Sequence, residues 1–150
     1  IAPNGNAGFV FRSESGNNAQ YIEETSLGTL NSPVAITTNP EGSISDITFG
    51  SNNEPRVIVS AEYNEGGVTF VQRTNGAWAA PMLIVNNDFE EYRSVITIAP
   101  DQKPSVLWYE DGNGANGKLI DINAAGDSFV STNLTIPPFP TSPNGLRSPF

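Results

Sequence analysis

The sequence of 150 residues predicts an all-β protein, and three observations support that fold class. Gly (14) and Pro (12) are frequent while charged residues make up only 15%, a composition that favours short strands joined by turns. Runs rich in Val, Ile, Phe or Thr lie between clusters of Asn, Gly and Pro, as β-strands do. These runs also return at a regular interval along the chain, which indicates a repeated supersecondary unit.

The repeat is visible when residues 9–36 are laid over residues 57–84, a shift of about 48 residues. Apolar residues fall on apolar residues, and Gly28 falls on Gly76. Residues 43–57 match residues 92–106 in the same way, at a shift of about 49 residues. Strand repeats of this length are typical of one four-stranded propeller blade. We therefore expect a β-propeller-like array of four-stranded antiparallel blades.

The strands of each unit are read from apolar runs bounded by turn residues. The second unit is expected to form strands at 44–49, 56–63, 68–74 and 82–85, and the third unit at 94–99, 105–110, 118–123 and 133–136. The first unit offers three strands, at 8–13, 20–25 and 34–37, so the chain holds about two and three-quarter blades. The domain organisation is then a leader (1–7), repeats (8–42, 43–91 and 92–136) and a Pro-rich tail (137–150).

So few blades predict that the chain does not close on itself, since propellers typically have four to eight. Missing sequence, another subunit or the tail must cover the open sheet faces. The tail cannot form a central strand because each Pro lacks a donor N–H, so it is either a linker or a strap on a neighbouring surface. We expect a protein partner or self-assembly.

Charge and composition exclude several functions. The net charge of −9 argues against a nucleic-acid partner, because phosphate binding needs clustered Lys and Arg. No apolar run is long enough to span a membrane. The absence of Cys and His leaves carboxylates, hydroxyls, Lys or Tyr for any catalysis. The chain starts at Ile1, which predicts a processed or excised product, and a sequon at Asn133 is compatible with an extracellular or cell-surface location.

The candidate binding residues lie at the turn between the second and third strands of a complete unit, which in the three-stranded first unit is the turn between strands 8–13 and 20–25. Loops at one rim of a propeller tend to carry function. A carboxylate recurs there as Glu14, Glu62 and Asp111. These groups could ligate Ca²⁺ or accept hydrogen bonds from sugar hydroxyls, or they could bind the N–H groups of the adjoining turn. The full candidate set is Glu14, Glu62, Tyr63, Glu65, Tyr109, Asp111 and Asn113.

A cofactor is expected at most in the form of calcium. The segment DGNGANG places oxygen ligands at Asp111 and Asn113, although the same segment is also typical of a hairpin turn. Trp108 occupies the slot of Phe11 and Val59, and Trp78 occupies the slot of Leu30 and Phe129. Both tryptophans are therefore interpreted as core packing between blades instead of sugar-stacking platforms.

Two segments resemble a known family. Residues 108–129, WYEDGNGANGKLIDINAAGDSF, combine an aromatic strand, an acidic turn, a second strand and a Gly-containing turn before an aromatic residue. Asn75-Gly76-Ala77-Trp78 is similar to the end of the sialidase Asp-box. The units thus resemble β-propeller repeats of the sialidase-like and fungal fucose-lectin type.

Three functions follow as hypotheses. The first is a non-catalytic extracellular binding or assembly module. The alternatives are a glycan-binding lectin and a carboxylate-dependent glycosidase, for which Glu62 and Asp111 would be candidates.

Overall fold

The computed structural model describes residues 1–13, 18–37, 42–61, 67–86, 92–110 and 116–135. These residues form thirteen strands in three antiparallel sheets, which confirms the predicted all-β class. Within these ranges there is no helix of the length and apolar character that crossing a membrane requires.

Each sheet is a meander whose strands follow the order of the chain. The first sheet contains β1 (Gly8–Arg12), β2 (Ala19–Ser26), β3 (Thr29–Leu30) and β4 (Val34–Ala35). The second contains β5 (Gly42–Phe49), β6 (Pro55–Ala61), β7 (Gly67–Thr74), β8 (Ala77–Trp78) and β9 (Met82–Asn86). The third contains β10 (Tyr92–Ile98), β11 (Pro104–Glu110), β12 (Asn116–Ile122) and β13 (Phe129–Thr135).

The outermost strand differs among the three sheets. In the first sheet β3 and β4 both pair with β2, and in the second sheet β8 and β9 both pair with β7. Pro33 and Pro81 lie in these two breaks, where a missing N–H and a fixed φ interrupt the ladder. The third sheet has no Pro there, and β13 begins at Phe129 instead of the expected residue 133. The eleven predicted strands otherwise overlap observed ones, with β3 and β8 added.

The strand pairing corrects one detail of the repeat. An ungapped shift places Ile22 over Phe70, but Ile22 lies opposite Phe9 in the first sheet, and Val71 lies opposite Val57 in the second. Ile22 therefore corresponds to Val71, and Tyr21 corresponds to Phe70. The first sheet thus has one residue more between Ile22 and Gly28 than the second sheet has between Val71 and Gly76. An irregularity in β2 between Glu24 and Ser26 accommodates this residue, so that Gly28 and Gly76 correspond again.

Two apolar clusters hold the three sheets together. Val57 and Val59 of β6 pack with Ala19, Tyr21 and Ile36 of the first sheet. The alternate residue of β6, Ile58, points to the other face and packs in the cluster shared with the third sheet. The members of this second cluster are Ile58, Val68, Phe70, Ile84, Val85, Ile96, Val106, Trp108, Ile120 and Ile122.

The two tryptophans occupy these clusters, as the repeat predicted. Trp108 is 2% exposed and lies within the cluster between the second and third sheets. Trp78 is half-buried and packs against the cluster between the first and second sheets, where its ring meets Tyr21 edge-on at 5.2 Å between centroids. Each ring therefore acts as packing between neighbouring sheets.

One carboxylate ties the first strands of two sheets together. Asp46 of β5 accepts a hydrogen bond from the N–H of Ile47 at 2.8 Å and another from the N–H of Ile96 at 3.0 Å. Ile96 belongs to β10, whose described pairing is with β11 alone, so Asp46 satisfies a donor on the open side of that strand.

The Asp46→Ala variant is expected to lose about 1–3 kcal/mol of unfolding free energy, because two part-buried N–H groups lose their acceptor. Urea denaturation measures the change, and the Asp46→Asn variant, which keeps one carbonyl oxygen, should lose less. Equal denaturation midpoints for Asp46→Ala and the parent protein would show that the bridge between β5 and β10 contributes nothing.

Candidate functional site

Most of the predicted binding residues lie outside the described residues. Glu14, Glu62, Tyr63, Glu65, Asp111 and Asn113 all belong to that group. The calcium, glycan and glycosidase hypotheses that depend on them stay predictions. Tyr109 is placed in β11, where its backbone pairs with Arg93 and Gly117. Asn133 is exposed on the edge strand β13, opposite Lys118.

A cleft of about 250 Å³ opens between the first and second sheets, at the end where the turn between β5 and β6 lies. Its wall combines polar and aromatic side chains, among them Tyr21, Glu23, Phe49, Asn53 and Arg73. Phe49 and the hydroxyl of Tyr21 both lie against the backbone of Gly8, and a Cβ at that position would come within 2.6 and 2.8 Å of them. A larger residue at position 8 would therefore require Phe49 or Tyr21 to move.

The centre of the cleft is a three-residue cluster that joins the two sheets. Arg73 of β7 donates to both carboxylate oxygens of Glu23 on β2, at 2.9 and 2.8 Å. The hydroxyl of Tyr21 donates to the same carboxylate at 2.7 Å, and the guanidinium lies 5.4 Å from the centroid of the Tyr21 ring. This bidentate, charge-assisted arrangement fixes the orientation of both charged groups.

The electrostatics of the cluster keep each group in one protonation state near neutral pH. The hydrogen bonds from Arg73 lower the pKa of Glu23, against the opposing effect of burial. Burial raises the pKa of Tyr21, and its hydrogen bond to the Glu23 carboxylate raises it further. Glu23 therefore stays ionised and Tyr21 stays protonated near pH 7.

The neighbouring polar groups are also engaged within the fold. Glu24 accepts hydrogen bonds from the N–H of Gly28 at 2.6 Å and of Ala7 at 3.2 Å, and these bonds lower its pKa. The side chain of Asn53 accepts a bond from the N–H of Asn4 across the two sheets at 2.8 Å. In the described part of the chain, no three acidic side chains gather closely enough to hold a metal ion. The hydrogen bonds from Arg73 to Glu23 and from Asn4 to Asn53 link the first and second sheets at this cleft.

A second feature is an apolar surface on the first sheet, here named the leading face, which is formed by Phe9, Phe11 and Leu30. These side chains are 52%, 37% and 53% exposed. The same slots in the second sheet hold Val57, Val59 and Trp78, which pack against the first sheet. The leading face therefore consists of interface residues with no sheet before them among the described residues.

The opposite end of the array carries a complementary surface, here named the trailing face, which is formed by Val95, Leu107 and Leu119 of the third sheet. Leu107 takes the position of Ile58, and Leu119 takes that of Phe70, both of which pack against the third sheet. Val95 is 55% exposed and Leu107 is 39% exposed. Each internal interface pairs residues at the leading-face positions of one sheet with residues at the trailing-face positions of the sheet before it. Among the described residues, the first sheet therefore exposes a surface of the first kind and the third sheet a surface of the second kind.

The repeat contained the signal for both faces, because Phe9, Phe11 and Leu30 already align with apolar residues in the second unit. What sequence reasoning missed is the pairing of Glu23 with Arg73. These residues are 50 positions apart, and nothing in their neighbouring residues indicates that they meet.

Comparisons of this chain with protein-family models, with curated proteins and with solved structures find no match.

Proposed function

We propose that this chain is a non-catalytic binding and assembly module, built from propeller-type repeats, whose leading face is covered by the trailing face of a second copy. The observation that carries the proposal is the exposure of Phe9 and Phe11, at positions that are buried in the sheets that follow. Val57 and Val59, which correspond to them in the second sheet, are 0% and 4% exposed.

The internal interfaces support this mode of association. The first sheet contributes Tyr21 to the interface with the second, and the second contributes Phe70 at the same position to the interface with the third. Tyr21 packs in a cluster with residues of β6, and Phe70 packs in a cluster with residues of β11. A further interface of this kind would place Leu107 and Leu119 of one copy against Phe9 and Phe11 of the next, burying apolar surface on both.

The arrangement of the sheets also supports a propeller-type array. The first strands of the second and third sheets, β5 and β10, contact each other, and β5 also contacts β1 of the first sheet. Strands on one side of the array thus lie next to each other, as the innermost strands of propeller blades do. Two copies would bring about six sheets together, which is within the usual range of four to eight for a closed ring.

Light scattering during size-exclusion chromatography tests the proposal. The parent protein should elute at a mass of more than one 16.0 kDa chain, because the exposed apolar faces gain by burial. The paired substitution Phe9→Ser and Phe11→Ser should return it to a folded monomer, with its circular dichroism spectrum unchanged.

The Leu83→Ser variant is the matched control. Leu83 is an exposed apolar residue of the second sheet that belongs to neither end face, so this variant should assemble like the parent. A folded parent protein that stays at 16.0 kDa up to millimolar concentration would refute the proposal.

A further inference from the structure

The turn at the start of the chain repeats in the other two sheets. In each copy the first residue of the turn donates its N–H to the carbonyl four residues later, and the fourth residue donates back to the carbonyl of the first. The three copies are Ala2 to Asn6, Gly50 to Glu54 and Ala99 to Lys103. The fourth residue has a left-handed φ in all three, at Gly5 (89°), Asn53 (63°) and Gln102 (68°). Residues 2–6 are thus the same structural element as the turns that join β5 to β6 and β10 to β11.

In the second and third sheets this turn follows a strand that pairs with the strand after it. β5 runs antiparallel to β6, and β10 runs antiparallel to β11. In the first sheet Ile1 stands in the place of Phe49 and Ile98, the last residues of those strands. The sequence agrees, because Ile1-Ala2-Pro3 repeats Ile98-Ala99-Pro100. Ile1 is 87% exposed, so its side chain has little of the packing of a paired strand residue.

The backbone of β1 is oriented to receive a strand on this side. The carbonyl of Ala7 accepts a bond from Glu24, and the N–H of Ser13 donates to Asn18, so both groups point toward β2. Successive residues of a strand direct their N–H and C=O groups to opposite edges. The backbone groups of Gly8 and Val10 therefore point away from β2, and in the described residues β1 pairs with β2 alone.

We infer that this edge of β1 binds a strand of about six residues that runs antiparallel to β1, ends next to Ile1 and completes the first sheet. The chemistry of the strand follows from its two counterparts. Ile47 lies opposite Val57, and Ile96 lies opposite Val106, so the residue opposite Phe9 is a branched apolar one. The inference depends on the repeat in the proposed function but not on the association of the two end faces.

An extended chain tests the inference. Placing the sequence of residues 92–97, Tyr-Arg-Ser-Val-Ile-Thr, directly before Ile1 recreates the order that precedes the third turn. Hydrogen exchange at the amides of Gly8 and Val10 is expected to slow at least about tenfold in the extended chain, because both become paired. The melting temperature is expected to rise by about 2–4 °C or more.

The control is the same extension with proline in place of both its valine and its threonine, the residues opposite Val10 and Gly8, which removes the N–H groups that face β1 and should give neither effect. Unchanged exchange at Gly8 and Val10 in the folded extended chain would overturn the inference. Equal protection by the proline control, or protection already present in the parent chain, would overturn it as well.

The mass of the extended chain separates this inference from the proposed function. Protected amides in a monomer would support the added strand and refute association through the end faces. An assembled protein whose amides at Gly8 and Val10 still exchange rapidly would do the opposite.

Discussion

The Trp108→Ala variant is expected to lose about 3–5 kcal/mol of unfolding free energy, the largest effect of any single substitution considered for this chain. Trp108 is 2% exposed, and its ring lies among apolar side chains from both the second and the third sheet. Removing the ring leaves a cavity that strands on both sides cannot fill without moving. Urea denaturation followed by circular dichroism measures the loss.

Phe11 provides a matched control, because it occupies the same slot of the first sheet as Trp108 does in the third. Phe11 is 37% exposed and has no preceding sheet among the described residues, so Phe11→Ala should cost no more than about 1 kcal/mol at concentrations where the protein is monomeric. Similar losses for the two variants would mean that burial between sheets does not determine the effect. If Phe11→Ala lost much unfolding free energy at high protein concentration but little at low concentration, the result would support the covering of the leading face by a second copy.

The Glu23→Gln variant is expected to lose about 1–3 kcal/mol at pH 7, since charge-assisted hydrogen bonds from Arg73 and one from Tyr21 are weakened. The loss depends on pH. Arg73 lowers the pKa of Glu23 in the folded protein, so the carboxylate contributes stability above its unfolded pKa. That contribution disappears as the pH falls through the folded pKa. The difference between parent and variant should therefore shrink on acidification, measured as urea midpoints between pH 7 and pH 3.

Asp101→Asn is the control for this prediction. Asp101 pairs with Lys103 at 2.6 Å, but both side chains are more than half exposed, at 53% and 55%. Solvent screens such a pair, so the variant should lose less than Glu23→Gln at pH 7. A Glu23→Gln loss that stays constant from pH 7 to pH 3 would contradict a role for the ionised carboxylate.

Much of the local structure could be predicted because it depends on short-range patterns. Apolar residues such as Val57 and Val59 alternate with residues of the opposite face, and turn residues such as Gly28 and Gly76 punctuate the strands. The breaks at Pro33 and Pro81 were also encoded locally, although the short strands before them were not predicted. The ungapped repeat aligned Ile22 with Phe70 instead of Val71, because both of these residues are apolar and the sequence does not show the irregularity in β2 that follows.

The cleft could not be predicted in the same way. Its geometry comes from Glu23 on β2 and Arg73 on β7, which belong to different sheets. A charged residue in an amphipathic strand is compatible with many partners, and the sequence does not rank them. The predicted rim residues, from Glu14 to Asn113, lie outside the described residues apart from Tyr109.

The sequence by itself determined the strands, their order and their repetition, since each depends on residues close together in the chain. The tertiary structure decided which of the repeated apolar residues are buried. Phe11, Val59 and Trp108 share one slot, yet Phe11 is 37% exposed while the others are 4% and 2% exposed. The physical reason is that an apolar side chain leaves water only when a neighbouring sheet covers it, and the first sheet has no such neighbour before it in the described part of the protein.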